Sequence, residues 1–176
     1  MDGGGTVSQD KDQSPVRLPL WEELPTFSLH LDQLLTLTNQ YLEPIIGDQL
    51  TKTMLHNYFK AKILLPPVNK RYERIQLAGA IVVGLLKNIF SLAEIQHGLA
   101  AILEDGSPKY GYNNFVRLFN EQAAQAGAPL TKPRPLVIKA AKPVTVMQYD
   151  AVQSILFWLS ARKRLAQLRP RHAHDS

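Results

Sequence analysis

The chain has 176 residues, of which 45% are hydrophobic and 20% are charged, a balance typical of a folded globular protein. It contains no cysteine, which excludes disulfides, thiolate zinc sites and a cysteine nucleophile. The formal net charge of +5 is compatible with a polyanionic partner but does not specify one. The N-terminus has no signal-peptide pattern, and the longest apolar run, Leu77 to Leu86, is about half a membrane span, so we expect a cytoplasmic protein that does not bind membranes.

The first fifty residues predict a disordered start, a packed lead-in and one helix. Residues 1–17 are rich in Gly, Ser, Asp and Gln without apolar periodicity, which predicts disorder. Residues 18–27 alternate prolines with large apolar groups, and we expect an extended segment that packs Trp21 and Phe27 onto the core. Apolar residues then recur at helical spacing from near Leu29, and Pro44 with Gly47 indicates the end of that helix.

A second helix is predicted from Thr51, a good N-cap, to about Lys62. Its apolar side carries Met54, Leu55, Tyr58 and Phe59, which we expect to face the core, with the Tyr58 hydroxyl at the rim. Its opposite side carries Lys52, Thr53, His56, Asn57 and Lys60. Two prolines follow, and residues 68–74 form a short extended piece that can make a two-stranded wing.

Positive charge is concentrated in two places. Glu73 is the only acidic residue in the first cluster, which contains Lys52, Lys60, Lys62, Lys70, Arg71 and Arg74. The second cluster lies at the C-terminus and contains Arg162, Lys163, Arg164, Arg169 and Arg171. Clustered cations on short segments are typical of phosphate contacts. A solvated charged face is the alternative explanation for both clusters, and a solubilising tail explains the second one at least as well.

The rest of the chain predicts further helices. Residues 75–88 are apolar on nearly all sides, which predicts a buried helix. Ser91 with Glu94 forms a capping box that begins a helix ending near residue 104. Beyond it we expect a helix over residues 113–126, a proline-rich linker over 127–143 with a short strand at 136–138, and a last long helix over 147–168.

Four of these motifs resemble the DNA-binding head of MerR-type regulators. They are residues 55–58, residues 63–66, Arg71 with Tyr72, and the turn at residues 90–95. The resemblance implies a mainly α fold with a winged helix-turn-helix head and additional C-terminal helices. In that fold residues 51–62 are the recognition helix and residues 68–74 are a basic wing.

A second resemblance covers roughly residues 18–103. The stretches 18–25 and 50–54 are similar to the poorly characterised YkrK-like bacterial family, which is usually described as a domain of unknown function. Together the two resemblances suggest a head over residues 18–106 and a helical region for dimerisation or effector binding over 107–170, followed by a disordered tail at 171–176.

This chain departs from the MerR pattern at three positions of the recognition helix. His56 stands where an Arg is usual, and Asn57 replaces the first of two tyrosines, so an operator preference does not transfer. Lys62 stands where a Gly normally ends the helix, and we expect it to adopt a strained cap conformation.

The sequence therefore predicts a sequence-specific, double-stranded DNA-binding transcriptional regulator. Asn57 can pair with adenine and the lysines with guanine, while His56 and Thr53 can contact bases or phosphates. Lys70, Arg71 and Arg74 would contact phosphates, with Arg71 also able to enter the minor groove. Such heads usually bind as homodimers. The helix from 113 or the helix from 147 would form the interface, unless both only complete the monomer core.

Other functions have less support in the sequence. The histidines are scattered apart from the His172-x-His174 tail, and no phosphate loop, nucleophile elbow or zinc-protease motif occurs. We therefore expect no enzyme activity and no cofactor, and the sequence identifies no effector. The competing hypothesis is a protein-interaction module that keeps the winged helix as a scaffold and docks a partner on the apolar C-terminal helix.

Overall fold

A computed structural model describes residues 16–124 and 141–168. Within these ranges the chain forms six α-helices, a short 3-10 helix at Trp21–Glu23 and no strand, which confirms a mainly α fold. The helices are α1 (Leu31–Ile46), α2 (Lys52–Lys60), α3 (Arg74–Leu86), α4 (Leu92–Asp105), α5 (Pro108–Ala124) and α6 (Pro143–Gln167). Three predicted segments lie wholly or mostly outside the described residues. They are the first 15 residues of the start predicted to be disordered (1–17), most of the predicted linker with its strand at 136–138, and the predicted tail.

Helix α3 forms the centre of the molecule, as its apolar sequence predicts. Ten of its 13 residues are buried, with α1 packed on one side and α5 and α6 on others. A side-chain carbon on Gly84 would lie 2.2 Å from the Leu42 side chain of α1, so a larger residue at position 84 requires Leu42 to move. None of the helices in the described ranges is long and apolar enough to cross a membrane.

A single apolar core contains residues from both regions that were predicted from the sequence, 18–106 and 107–170. It includes Leu18 from the lead-in, Phe115 and Phe119 from α5, and Val152 and Ile155 from α6. Helix α5 and the first half of α6 therefore complete the core of the monomer, which is one of the two roles expected for them.

The lead-in is fixed to α5 by hydrogen bonds. The backbone N–H of Leu18 donates to the Asn120 side chain at 2.8 Å, and the same side chain donates to the Leu18 carbonyl at 2.9 Å. Trp21 is half-buried and meets Tyr112 edge-on, as expected of a packed residue. The prediction that Phe27 packs onto the core is wrong, since 64% of it is exposed. Leu24 and Leu29 fill the core on either side of it.

Prolines begin two helices and fail to end a third. Helix α5 starts at Pro108 and α6 at Pro143, earlier than predicted, because a proline in the first turn has no N–H to leave unpaired. Helix α1 continues through Pro44 and ends at Gly47, whose φ of 64° is left-handed. Of the two residues that were predicted to end this helix, only Gly47 is therefore confirmed.

Candidate nucleic-acid interface

Helix α2 is positioned by an amide clamp at the turn that joins it to α1. The Asn39 side chain donates to the carbonyl of Leu50 at 2.9 Å and accepts from its N–H at 2.7 Å. Leu50 is buried, and Thr51 caps the helix by accepting from the N–H of Met54 at 3.2 Å. The predicted N-cap is confirmed, and the start of α2 is held by α1 on one side and by the core on the other.

The two sides of α2 have the character that the sequence predicts. Leu55 and Tyr58 are buried, and burial raises the pKa of Tyr58. The opposite side is exposed along its length and carries Lys52, Thr53, His56, Asn57 and Lys60. Because these residues recur one helical turn apart, they form a single polar face, which we call the α2 face.

The C-terminal end of α2 is closed by a Schellman motif with Lys62 in the position that usually holds glycine. The N–H of Ile63 donates to the carbonyl of Tyr58 at 3.0 Å, and the N–H of Lys62 donates to Phe59 at 3.1 Å. The φ of Lys62 is 58°, which confirms the expected strained conformation. Gln96 of α4 donates to the Ala61 carbonyl at 3.2 Å and so fixes this end from a second element.

The segment predicted to form a two-stranded wing forms a tight turn with isolated bridges. Val68 and Arg71 exchange both backbone hydrogen bonds, at 3.2 and 2.9 Å. Asn69 and Lys70 between them have φ values of 51° and 58°, as a type I′ hairpin turn requires. Lys70 stands exposed at its tip. We call residues 68–71 the wing turn.

Directly after the wing turn, the backbone pairs with the segment before α1 and not with a second strand of the predicted wing. Tyr72 and Leu29 exchange backbone hydrogen bonds of 2.8 and 3.0 Å. The Tyr72 ring packs against Phe59 of α2, with 5.3 Å between the centroids. This contact ties the wing turn to the recognition-helix candidate through their apolar sides.

The first turn of α1 joins the α2 face to the wing turn on the polar side. The guanidinium of Arg71 lies 2.9 Å from Nε2 of His30, the N-cap of α1. The Lys52 ammonium lies 2.6 Å from the Asp32 carboxylate and lowers the pKa of Asp32. The start of α2 and the wing turn therefore border the same turn of α1. Neither His30 nor Asp32 carries a local sequence signal for this role.

The other predicted phosphate contact, Arg74, is engaged inside the protein. It is half-buried at the start of α3, and its Nε donates to the carbonyls of Leu24 and Pro25 at 3.2 and 3.1 Å. Any effect of replacing Arg74 therefore combines a change in the lead-in with a change in surface charge. The seven other predicted site residues are exposed.

The second basic cluster is only partly described. Arg162 donates to the carbonyl of Ile46 at 2.7 Å and stacks on Trp158, 4.7 Å from the ring centroid. Lys163 and Arg164 are exposed, while Arg169 and Arg171 lie outside the described residues. Arg162 thus connects α6 to the last turn of α1, directly before the turn that leads into α2.

The chain was compared with known families, curated proteins and solved structures. A family model described as Domain of unknown function (DUF1836) matches residues 19–115, a little more than half of the chain. The match begins in the lead-in and ends within α5, so it contains the α2 face and the wing turn. No curated protein and no solved structure matches.

Proposed function

The chain belongs to the DUF1836 family, and we propose that it is a transcriptional regulator that binds double-stranded DNA sequence-specifically. The observation that carries the proposal is the α2 face, a row of exposed Lys, Thr, His and Asn side chains on a helix fixed on its other side. A helix about 10–12 Å across fits the major groove, where only its outer side chains reach base edges.

In this proposal α1 and α2 act as a helix-turn-helix and the wing turn acts as a reduced wing of the MerR type. Asn57 and His56 lie on the middle of the α2 face and would read bases. Lys70, at the exposed tip of the turn, and Arg71 beside it would contact phosphates and fix the register. The Arg71–His30 and Lys52–Asp32 contacts, both at the start of α1, support one continuous contact surface.

The proposed active form is a homodimer that reads two half-sites. Helix α5 is largely used by the monomer core, which leaves the second half of α6 as the better interface candidate. There Leu165 and Leu168 are 68% and 72% exposed, and residues 161–168 are all exposed. Leu165 and Leu168, three residues apart, are the apolar contact that we propose for a second copy.

The test is a fluorescence-anisotropy titration against a duplex from the region upstream of the protein's own gene and against a scrambled duplex, at two salt concentrations. We expect tighter binding to the native sequence at both salt concentrations. Lys60→Ala and Arg71→Ala should each weaken binding and reduce the salt slope by about one unit per lost phosphate contact. Lys142→Ala, which removes the same charge at the start of α6, is the matched control. Equal binding to both duplexes that disappears with salt would contradict the proposal.

The alternative is a protein-interaction module, and the exposed leucines of α6 are the observation that favours it. If a protein is the ligand, Lys60→Ala and Arg71→Ala should have little effect on its binding. Trp158→Ala, and Leu165→Ser combined with Leu168→Ser, should then abolish it. Size-exclusion chromatography with light scattering separates loss of a partner from loss of a homodimer.

A further inference from the structure

His30 and Arg71 face each other beside the backbone bridge that joins the segment before α1 to the wing turn. Leu29 and Tyr72 exchange both hydrogen bonds of this bridge, and both of their side chains are buried. Because side chains alternate between the two sides of extended backbone, the adjacent residues His30 and Arg71 lie on the opposite, exposed side. The backbone therefore places these two side chains as a cross-strand pair.

The contact between them requires a neutral imidazole. A guanidinium has donors and no acceptor, so Nε2 of His30, 2.9 Å away, must accept the hydrogen bond from Arg71. An imidazole nitrogen accepts only when it carries no proton, and the ring proton of His30 is therefore on Nδ1. A protonated His30 has no acceptor, and its positive charge lies beside that of the guanidinium. The gain of one proton thus turns attraction into repulsion.

Charged groups reach His30 from three elements. Arg71 belongs to the wing turn, Asp32 belongs to α1, and Lys52 of α2 lies 2.6 Å from Asp32. The pKa of Asp32 is lowered mainly by Lys52 and to a smaller extent by His30. A protonated imidazole is therefore repelled by the wing turn and attracted by Asp32, where it competes with Lys52. The backbone N–H of His30 donates to the Gln33 side chain at 2.9 Å, which holds the backbone in place while the ring responds.

We propose that neutral His30 positions Arg71 for its phosphate contact and that protonation of His30 releases Arg71. The proposal rests on the proposed function, since it names a positioning residue for the same DNA contact surface. While it is held, the guanidinium is ordered before DNA binds, which lowers the entropic cost of the contact. Once released, the same charge still attracts phosphates but no longer fixes the register of the protein on the duplex.

The two forms of His30 should therefore differ in sequence preference. The protonated form has one more positive charge on the contact surface, which strengthens binding to any duplex. Loss of the Arg71 position weakens binding to the native duplex alone, so the preference for the native over the scrambled duplex should fall as the pH falls. Because the contact is exposed, we expect a decrease of about three- to fivefold.

The test is the anisotropy titration with both duplexes at about pH 8 and about pH 5, the limits between which an ordinary histidine changes its charge. It compares the unmodified chain with His30→Gln and His30→Phe. The Gln variant has a neutral acceptor at both pH values and should keep the full preference. The Phe variant has a ring without an acceptor and should have a low preference at both. The unmodified chain should match His30→Gln at the higher pH and approach His30→Phe at the lower one.

This comparison isolates His30, because His56 of the α2 face and the other histidines are present in all three chains. The same pH dependence in His30→Gln as in the unmodified chain would overturn the proposal. A high preference in His30→Phe would also overturn it, since the ring would then act by packing alone. In an Arg71→Ala background, His30→Gln should leave the preference unchanged at both pH values, and a remaining effect would mean that His30 does not act through Arg71.

A measurement without DNA separates the positioning role from the proposed function. Long-range proton–nitrogen NMR spectra of the full chain report which ring nitrogen of His30 carries the proton. We expect the Nδ1–H form at the higher pH in the unmodified chain and a loss of that preference in Arg71→Ala. The same mixture of forms in both chains would overturn the contact and the positioning role. If the Nδ1–H form is present but the native duplex is not preferred at either pH, the proposed function fails, and the positioning role fails with it.

Discussion

Helices α2 and α3 follow one another along the chain and share one core, yet they differ strongly in the fraction of their residues that is buried. Ten of the 13 residues of α3 are buried, compared with two of the nine in α2. Packing therefore dictates almost every residue of α3, whereas it dictates only one side of α2. The residues on the remaining side of α2 are not constrained by packing, and their types suit the DNA contacts that we propose.

The largest effect is expected in α3. Ile81 is fully buried, and Ile81→Ala should lower the free energy of unfolding by about 3 kcal/mol, because it removes apolar contacts and leaves a cavity. Urea unfolding followed by circular dichroism measures this, with Ile81→Val as the graded control at about 1 kcal/mol. The DNA affinity of the folded protein should not change. A loss of less than about 1 kcal/mol for the alanine variant would contradict the central position of α3.

A substitution on the α2 face is expected to reduce DNA affinity and to leave stability nearly unchanged. Asn57→Ala removes an exposed side chain, so stability should stay within about 0.5 kcal/mol. Affinity for the native duplex should fall by about 1–3 kcal/mol if Asn57 contacts a base. The two titrations described above measure this, and binding to the scrambled duplex should change little. Equal loss on both duplexes would make Asn57 a phosphate contact.

A stabilising change is expected at the end of α2. Lys62 has a φ of 58°, which a residue with a side-chain carbon adopts at a cost of about 1–2 kcal/mol. Lys62→Gly should therefore raise the free energy of unfolding by about 0.5–1 kcal/mol after the added chain entropy is subtracted. Ala61→Gly is the control, since Ala61 has an ordinary φ of −77° and should lose stability. Destabilisation by Lys62→Gly would show that its side chain contributes more than the backbone strain removes.

The smallest effect is expected on the surface of the lead-in. Hydrogen bonds from Lys109 and Asn113 lower the pKa of Glu22 to about 2 from an ordinary value of 4.5. Because the pKa of the folded state is depressed, Glu22 stabilises the protein at neutral pH, and this contribution is lost as the pH falls from about 4.5 to about 2. Glu22→Gln should thus lower the urea midpoint slightly at pH 7, and most of this difference should be gone near pH 2. An equal difference at both pH values would rule out a role for its charge.

Local rules predicted what depends on neighbouring residues. The two sides of α2, the Thr51 cap and the Ser91–Glu94 capping box follow from helical periodicity and end chemistry. The strain at Lys62 follows from the MerR resemblance, in which a glycine ends this helix. Two helix starts were misplaced because Pro108 and Pro143 also suit the first turn of a helix.

Contacts between distant parts of the chain could not be predicted in this way. The Asn39 clamp on Leu50, the Arg71–His30 contact and the use of Arg74 to hold the lead-in join residues from different elements. The pattern of a single segment does not contain them.

The stacking of Arg162 on Trp158 gives the protein an internal optical reporter. A cation held over the face of an indole changes its emission, and the same guanidinium is bonded to the end of α1. The chain has only two tryptophans, and the other, Trp21, packs against Tyr112 in the lead-in. In a Trp21→Phe background, steady-state and stopped-flow fluorescence would therefore follow the contact between α6 and α1 in real time, without any attached dye.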